Sequence, residues 1–161
     1  MKPALVIQAE RPDQPDVVAA LGALDAYLAT LYAPEDNHIL DVQALLASDV
    51  VFLVAREGSR LLGTGAFRHM PASPETEGRQ YAEIKRMVVD PAARGRGIGA
   101  QMIAALEAAM QQAGCTLALL ETGRDQVEAV RLYGRAGYRR RAAFGGYPDN
   151  GLSLFFEKSL A

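Results

Sequence analysis

The sequence has few of the residues that crosslink small proteins or bind metals. Among 161 residues there are one cysteine, Cys115, and two histidines, His38 and His69. One cysteine excludes a disulfide within the chain and is typical of a reducing compartment. The histidines stand far apart and without a neighbouring cysteine, so we predict no metal site. We interpret Cys115 as a small core residue opening a buried strand; an acyl-carrying thiol is the alternative.

Long apolar runs and a strong net charge are also missing. The longest wholly apolar stretch covers residues 50–55, far short of the roughly 20 residues that a membrane-spanning helix needs. The first ten residues lack the apolar run and cleavage site of a secretory signal. We therefore expect a cytoplasmic protein with no membrane partner. A formal net charge of −2 predicts no general attraction for nucleic acid, so local groups must bind any anionic ligand.

The chain is half apolar and 22% charged, which is the balance of a globular protein. At 161 residues it is long enough for one ordinary domain and too short for two. We therefore predict a single domain over residues 1–161.

Apolar periodicity and turn residues predict seven strands and four helices. The strands are predicted at residues 5–9, 50–56, 61–67, 81–89, 116–120, 138–144 and 152–157, and the helices at 17–31, 39–47, 97–113 and 125–136. This order predicts an α/β fold of the mixed α+β kind, with one mostly antiparallel sheet of about seven strands flanked by about four helices. The connection from strand 81–89 through helix 97–113 to strand 116–120 predicts a central parallel pair.

A glycine-rich turn stands between the fourth strand and the third helix. Residues 94–99 read Arg-Gly-Arg-Gly-Ile-Gly. The first turn of a helix points unpaired N–H groups outward, and glycines let a phosphate approach the backbone closely. Arg94 and Arg96 add guanidinium groups that can fork onto phosphate oxygens. The turn therefore predicts an anion site, with a solvated basic helix start as the alternative.

A dinucleotide-binding loop is the second interpretation of this turn. Residues 95–100 match the dinucleotide fingerprint with alanine in its last place, and Glu121 lies about 20 residues further on. However, residues 90–93 separate the strand from the loop, and too few elements follow residue 120 to complete a doubly wound sheet. A nucleoside-triphosphate loop is excluded because no Lys-Ser or Lys-Thr follows the glycines.

Two segments resemble motifs of the GNAT superfamily of N-acetyltransferases. Its central motif is Gln or Arg, two residues, Gly, one residue, then Gly or Ala, and Arg94, Gly97 and Gly99 fill it after the run 83–91. Residues 129–138 resemble the later GNAT helix, with its Ala, Leu-Tyr and Gly-aromatic positions. The resemblance spans nearly the whole chain and implies an acetyltransferase with acetyl-coenzyme A as cosubstrate and no metal.

The resemblance also implies a binding mode for acetyl-coenzyme A. The coenzyme would lie between two parallel strands that splay apart, 81–89 and 116–120. Its pantetheine arm would pair with the backbone of strand 81–89, and Gln126 stands where many members carry an asparagine that contacts this arm. The residues so implied in coenzyme binding are Met87, Val88, Val89, Arg94, Gly95, Arg96, Gly97, Ile98, Gly99, Ala100 and Gln126.

Glu83 and Tyr133 are the catalytic candidates that the resemblance implies. Glu83 occupies the position of a general base in some members, and a protonated amine must lose a proton before it attacks a thioester. Tyr133 stands where the family places the tyrosine that protonates the departing thiolate. A backbone N–H near Val88 or Val89 is the expected donor to the thioester oxygen. A strand glutamate paired with Lys85 or Arg86 and a core tyrosine are the structural alternatives.

The acceptor is expected to be a primary amine of a small molecule or peptide. Tyr32 and His38, after the first helix, and Tyr147, in the loop 144–150, are the candidate acceptor contacts. We expect no nucleic-acid partner, and the family makes a homodimer possible. A non-catalytic acyl-coenzyme A sensor on the same fold is the alternative from a different functional class.

Overall fold

Seven strands form one sheet within residues 3–161, the part of the chain that the computed structural model describes. The strands are β1 Leu5–Ala9, β2 Val50–Glu57, β3 Arg60–Met70, β4 Tyr81–Val89, β5 Leu117–Gly123, β6 Arg139–Arg141 and β7 Ser153–Ser159. Their order in the sheet is β1-β2-β3-β4-β5-β7-β6. β4 and β5 are parallel, whereas β1 with β2, β5 with β7 and β6 with β7 are antiparallel. The predicted mixed sheet with one parallel pair is thereby confirmed.

The four helices are α1 Pro15–Leu31, α2 Val42–Leu45, α3 Ile98–Gln112 and α4 Val127–Arg135. Pro15 at the start of α1 and Asp16 in its first turn are typical of a helix N-terminus. Left-handed Gly114 and Gly137 follow the ends of α3 and α4, a common way for a helix to end. Within residues 3–161, no helix combines the length and apolarity needed to cross a membrane.

Several element boundaries differ from the sequence predictions, and three of the differences have a local structural reason. Helix α2 does not begin at residue 39, because the Asp41 carboxylate accepts the Ala44 N–H at 2.8 Å and so caps the helix there. β5 continues to Gly123, because β7 pairs with it along its whole length. β6 is limited to Arg139–Arg141, since the chain turns through left-handed Gly145 and Gly146 before β7.

The chain packs as two compact units. The first contains the described residues up to Phe67 together with Lys85–Leu106, and the second contains Arg68–Ile84 together with Glu107–Ala161. This division does not test the single-domain prediction for residues 1–161, which stays a prediction.

The core of the first unit lies between α1, α2 and strands β2 and β3. Val17 and Leu21, one helical turn apart, are both buried, as are the alternate β2 residues Phe52 and Val54. Burying side chains of this size stabilises the fold by about 1.5–3 kcal/mol each. This packing fixes α1 against the sheet.

The core of the second unit is rich in aromatic side chains. Its buried members are Tyr81, Leu117, Leu119, Phe144 and Phe155. Tyr147 packs against them while partly buried. The cluster therefore holds the segment between β6 and β7 against the residues of β4 and β5 that belong to this unit.

Candidate active site

A capped turn separates the end of β4 from the glycine-rich loop. The Asp90 carboxylate accepts the Ala92 N–H at 3.1 Å, and Pro91–Ala93 forms one 3-10 turn. This turn accounts for the four residues that distinguish the segment from a dinucleotide fingerprint, in which glycines follow the strand directly.

Left-handed glycines shape the loop that precedes α3. Gly95 has φ 81° and Gly97 has φ 76°, a conformation that residues with a Cβ rarely adopt. A Cβ at Gly97 would meet no atom nearer than Gln101 Nε2 at 4.0 Å, and one at Gly95 would meet none within 4 Å. The space beside this backbone is open, as an anion approaching the N–H groups requires.

The two arginines of the loop differ in their surroundings. The Arg96 guanidinium is bound to the Glu57 carboxylate through both terminal nitrogens. This bonding holds the pKa of Arg96 above its ordinary value. Arg94 instead lines a pocket. From sequence the two side chains have the same predicted role. In the structure, Arg96 binds Glu57 of its own unit, and Arg94 lines the pocket.

The pocket beside Arg94 lies wholly within the first unit and has a volume of about 640 Å³, within the usual range for ligand sites. The end of β4 contributes Val88 and Val89 to its wall. Sequence reasoning missed the part of the lining that α1 provides: Asp16, Ala19, Ala20, Ala23, Leu24 and Tyr27. The signal that could have indicated it is the spacing of Ala23 three and four residues after Ala20 and Ala19, which places the three on one helix face.

β4 contains a backbone irregularity at Arg86. Its φ is 57°, a left-handed value that is a strained outlier for a bulky residue inside a strand. The Arg86 carbonyl accepts the Thr64 hydroxyl at 2.8 Å, and its guanidinium bonds the Asp25 carboxylate and the Leu21 carbonyl. These contacts hold the conformation in place. They also pair Arg86 with Asp25, not with Glu83, which the sequence analysis considered as a partner.

Glu83 is a buried carboxylate of the second unit. Glu83 is 3% exposed. It pairs with Leu119 where β4 and β5 run parallel. The Tyr147 hydroxyl donates a hydrogen bond to Glu83 Oε2. Burial raises the pKa of Tyr147, and the Glu83 charge adds to the shift. The structure thus brings together two residues that the sequence analysis placed in different roles.

Tyr133 is buried in the second unit on α4. Its ring lies edge to face with Tyr138 at 5.9 Å between centroids, and tilted against Phe156 at 6.4 Å. Burial, followed by the charge of Glu121, raises the pKa of Tyr133. Its phenol therefore stays protonated at neutral pH, as a proton donor must.

The remaining candidates are distributed over both units. Gln126 is partly buried directly before α4, in the second unit with Tyr147. Tyr32 and His38 follow α1 in the first unit and are also partly buried. Their assignment as coenzyme or acceptor contacts stays a prediction.

A mixed sheet with one parallel strand pair, and a glycine-rich loop between the first of these strands and a helix, is the architecture of the acyltransferase class. Residues 20–138 match the acetyltransferase (GNAT) family. The chain belongs to this family.

Individual relatives agree with this assignment. The chain is 42% identical to an IAA acetyltransferase of Azospirillum brasilense, over 98% of this chain and 99% of the relative. A Klebsiella pneumoniae structure provisionally assigned as an acyl-CoA N-acyltransferase is 34% identical, with a TM-score of 0.79 and 98% of each chain covered. Arabidopsis thaliana NAA60, solved with acetyl-CoA, has the same fold at 17% identity and a TM-score of 0.68, covering 98% of this chain and 99% of that one.

Proposed function

We propose that the protein is an N-acetyltransferase that transfers the acetyl group of acetyl-coenzyme A directly to a primary amine. The observation that carries the proposal is the loop with left-handed Gly95 and Gly97 at the start of α3, with Arg94 lining the adjoining pocket. A helix N-terminus with accessible N–H groups and a flanking cation is suited to a diphosphate.

The pocket fits the chemistry of the coenzyme arm. The α1 part of its lining includes Ala19, Ala20 and Ala23, and the end of β4 contributes Val88 and Val89. A pantetheine arm carries two amides on a largely apolar chain, so it requires a narrow apolar channel with a few backbone partners. In our proposal Val88 and Val89 pair with the arm, and residues 94–100 bind the diphosphate. Acetyl-CoA in the NAA60 structure supports this choice of cosubstrate.

Glu83 and Tyr133 supply the proton transfers in this proposal. Glu83 takes a proton from the acceptor ammonium, and the neutral nitrogen then attacks the thioester carbonyl. The carbon–sulfur bond breaks as the amide forms, and the phenol of Tyr133 protonates the departing thiolate. The second proton that the attacking nitrogen loses replaces the one that the phenol gave up. A phenol is protonated at neutral pH, as a proton donor must be.

Acetylation of IAA is a second candidate function. The Azospirillum brasilense relative, which is aligned over almost its whole length, is named for that activity. The amine proposal depends instead on a buried carboxylate, Glu83, next to an aromatic cluster that suits a cationic group. The two candidates differ in their acceptor and share the coenzyme site.

Thiol release from acetyl-coenzyme A, measured across amines, amino acids, peptides and IAA, tests the function. We expect release with at least one primary amine, and calorimetry is expected to show binding of acetyl-coenzyme A but not of NAD. Turnover with IAA alone would establish the second candidate. Binding without turnover on any acceptor would favour an acyl-coenzyme A sensor, and binding of NAD would favour a dinucleotide enzyme.

The unequal surroundings of the loop arginines give a first prediction. Arg94→Ala removes donors and a charge from the pocket but leaves the backbone N–H groups, so we expect the Kd for coenzyme A to rise about tenfold. The dependence of Kd on salt is expected to weaken. Arg96→Ala is the matched control, and we expect a smaller change because Arg96 is bound to Glu57. Equal losses in the two variants would contradict the assignment of Arg94.

Tyr133→Phe gives a second prediction. It removes the hydroxyl from a packed ring, so we expect kcat to fall by about tenfold or more with little change in coenzyme affinity. Tyr138→Phe is the control, since Tyr138 is equally buried and donates to Glu107 at 2.9 Å. We expect this control to lower stability by about 1 kcal/mol without slowing turnover. Wild-type kcat in Tyr133→Phe, with chemistry rate-limiting, would remove the acid role.

A further inference from the structure

The contact between Glu83 and Tyr147 joins two residues 64 positions apart in sequence. Tyr147 lies in the loop between β6 and β7, directly after left-handed Gly145 and Gly146. The Tyr147 N–H bonds the Phe144 carbonyl at 3.1 Å and closes this turn. The two glycines let the chain reverse tightly enough to bring the Tyr147 side chain back to the sheet.

Aromatic packing fixes the Tyr147 ring. Its centroid lies 5.6 Å from that of Phe144, at an interplanar angle of 80°, and 6.1 Å from that of Phe155. The contact with Phe144 is edge to face and the contact with Phe155 is tilted. Aromatic pairs at these distances are favourable. A Cβ at Gly145 would lie 3.6 Å from the Tyr147 ring and 3.4 Å from the Tyr81 hydroxyl, so the turn itself packs against the ring. The hydroxyl is therefore held on Glu83 by a rigid support.

The two members of the pair differ in their access to solvent. Glu83 is 3% exposed, whereas Tyr147 is partly exposed. Tyr147 is thus the more accessible residue of the pair. The phenol stays protonated at neutral pH, because burial and the neighbouring carboxylate raise its pKa. It can accept a proton from outside only while it passes its own proton to Glu83.

We propose that Tyr147 relays the proton between the acceptor amine and Glu83. The acceptor ammonium gives a proton to Tyr147 Oη as the Tyr147 hydroxyl proton moves to Glu83 Oε2. The amine becomes neutral, the glutamate becomes the acid, and the tyrosine ends unchanged. The inference rests on the proposed function, and it adds a residue that touches the acceptor.

A double-mutant cycle on turnover tests the relay. Tyr147→Phe keeps the packed ring and removes only the hydroxyl, so we expect kcat at neutral pH to fall about tenfold or more with coenzyme affinity unchanged. Adding Tyr147→Phe to Glu83→Gln is expected to lower kcat less than twofold further, because both act in one proton path. The loss of kcat in Tyr147→Phe, relative to the wild type, should become smaller as pH rises towards the pKa of the acceptor amine. Tyr138→Phe, which breaks another tyrosine–glutamate contact of the same unit, should leave kcat unchanged.

Each outcome separates the relay from the function on which it rests. Independent, multiplicative losses in the double variant, or a Tyr147→Phe deficit that does not vary with pH, would overturn the relay and leave Tyr147 as a packing residue. Wild-type kcat in Tyr147→Phe, with a slow Glu83→Gln enzyme, would overturn the relay and retain Glu83 as the base. Wild-type kcat in Glu83→Gln would remove the base and the relay together. Circular dichroism and thermal unfolding of every variant identify any that fail to fold.

Discussion

Replacement of Gly97 by valine is expected to abolish coenzyme A binding while the protein remains folded. Gly97 has φ 76° directly before α3, where the proposed binding mode brings the backbone within hydrogen-bond distance of a phosphate. A valine that keeps this φ places a branched side chain in the space that the diphosphate needs. A valine that relaxes φ turns the N–H groups away from their common direction. Either response removes the site.

The cost of this substitution to folding is smaller than the total stability of an ordinary domain. Forcing a non-glycine residue into this conformation costs about 1–3 kcal/mol, against a total stability of about 5–15 kcal/mol for an ordinary domain. A Cβ at Gly97 would have only Gln101 Nε2 nearby, at 4.0 Å, so no steric clash within the first unit adds to this strain. We expect Kd for coenzyme A to rise about a hundredfold or more, an effect of about 2.7 kcal/mol.

Gly78→Val is the matched control for this variant. Gly78 also has φ 76° and nothing within 4 Å of a Cβ, but it lies in the segment before β4, outside the glycine-rich loop. Both variants should lose similar stability in thermal unfolding, and only Gly97→Val should lose coenzyme binding in calorimetry. A folded Gly97→Val protein with near-wild-type affinity would mean that the phosphates bind elsewhere on the chain.

The glycine-rich loop could be predicted from sequence because its conformation depends on local residues. Arg94, Gly97 and Gly99 fill a contiguous motif, and the conformational freedom of glycine depends on the residue itself. The strand that leads into the loop was predicted with its observed bounds, Tyr81–Val89, because Asp90-Pro91 ends the strand-like run there. Local signals of this kind need no knowledge of distant residues.

The parts that sequence missed depend on contacts between distant residues. β5 extends to Gly123 because β7 pairs with it there. The apolar run that predicted this strand ends at Leu120. The left-handed conformation of Arg86 is held by contacts to Thr64, Asp25 and Leu21. No residue-type preference predicts such a conformation for arginine. Glu83 and Tyr147 were both named from sequence, but their hydrogen bond follows from the folding of the β6–β7 loop.

Glu83→Gln is expected to lower kcat by about a hundredfold or more at neutral pH. Glutamine has nearly the shape of glutamate and keeps an oxygen that accepts the Tyr147 hydroxyl, so the buried contact and the fold should persist. The variant loses only the negative charge and the ability to take a proton. Coenzyme affinity, measured by calorimetry, should therefore stay close to that of the wild type.

The pH dependence of Glu83→Gln distinguishes a base from a merely structural glutamate. An alkyl amine has a pKa of about 10, as lysine does, so at neutral pH almost all of the acceptor is protonated and needs a base. Above the pKa of the amine the nucleophile is already neutral, and the carboxylate is no longer required. The ratio of wild-type to variant kcat should therefore be largest below the pKa of the amine and fall towards one above it. A ratio that is constant across pH, or close to one throughout with chemistry rate-limiting, would assign proton removal to a group other than Glu83.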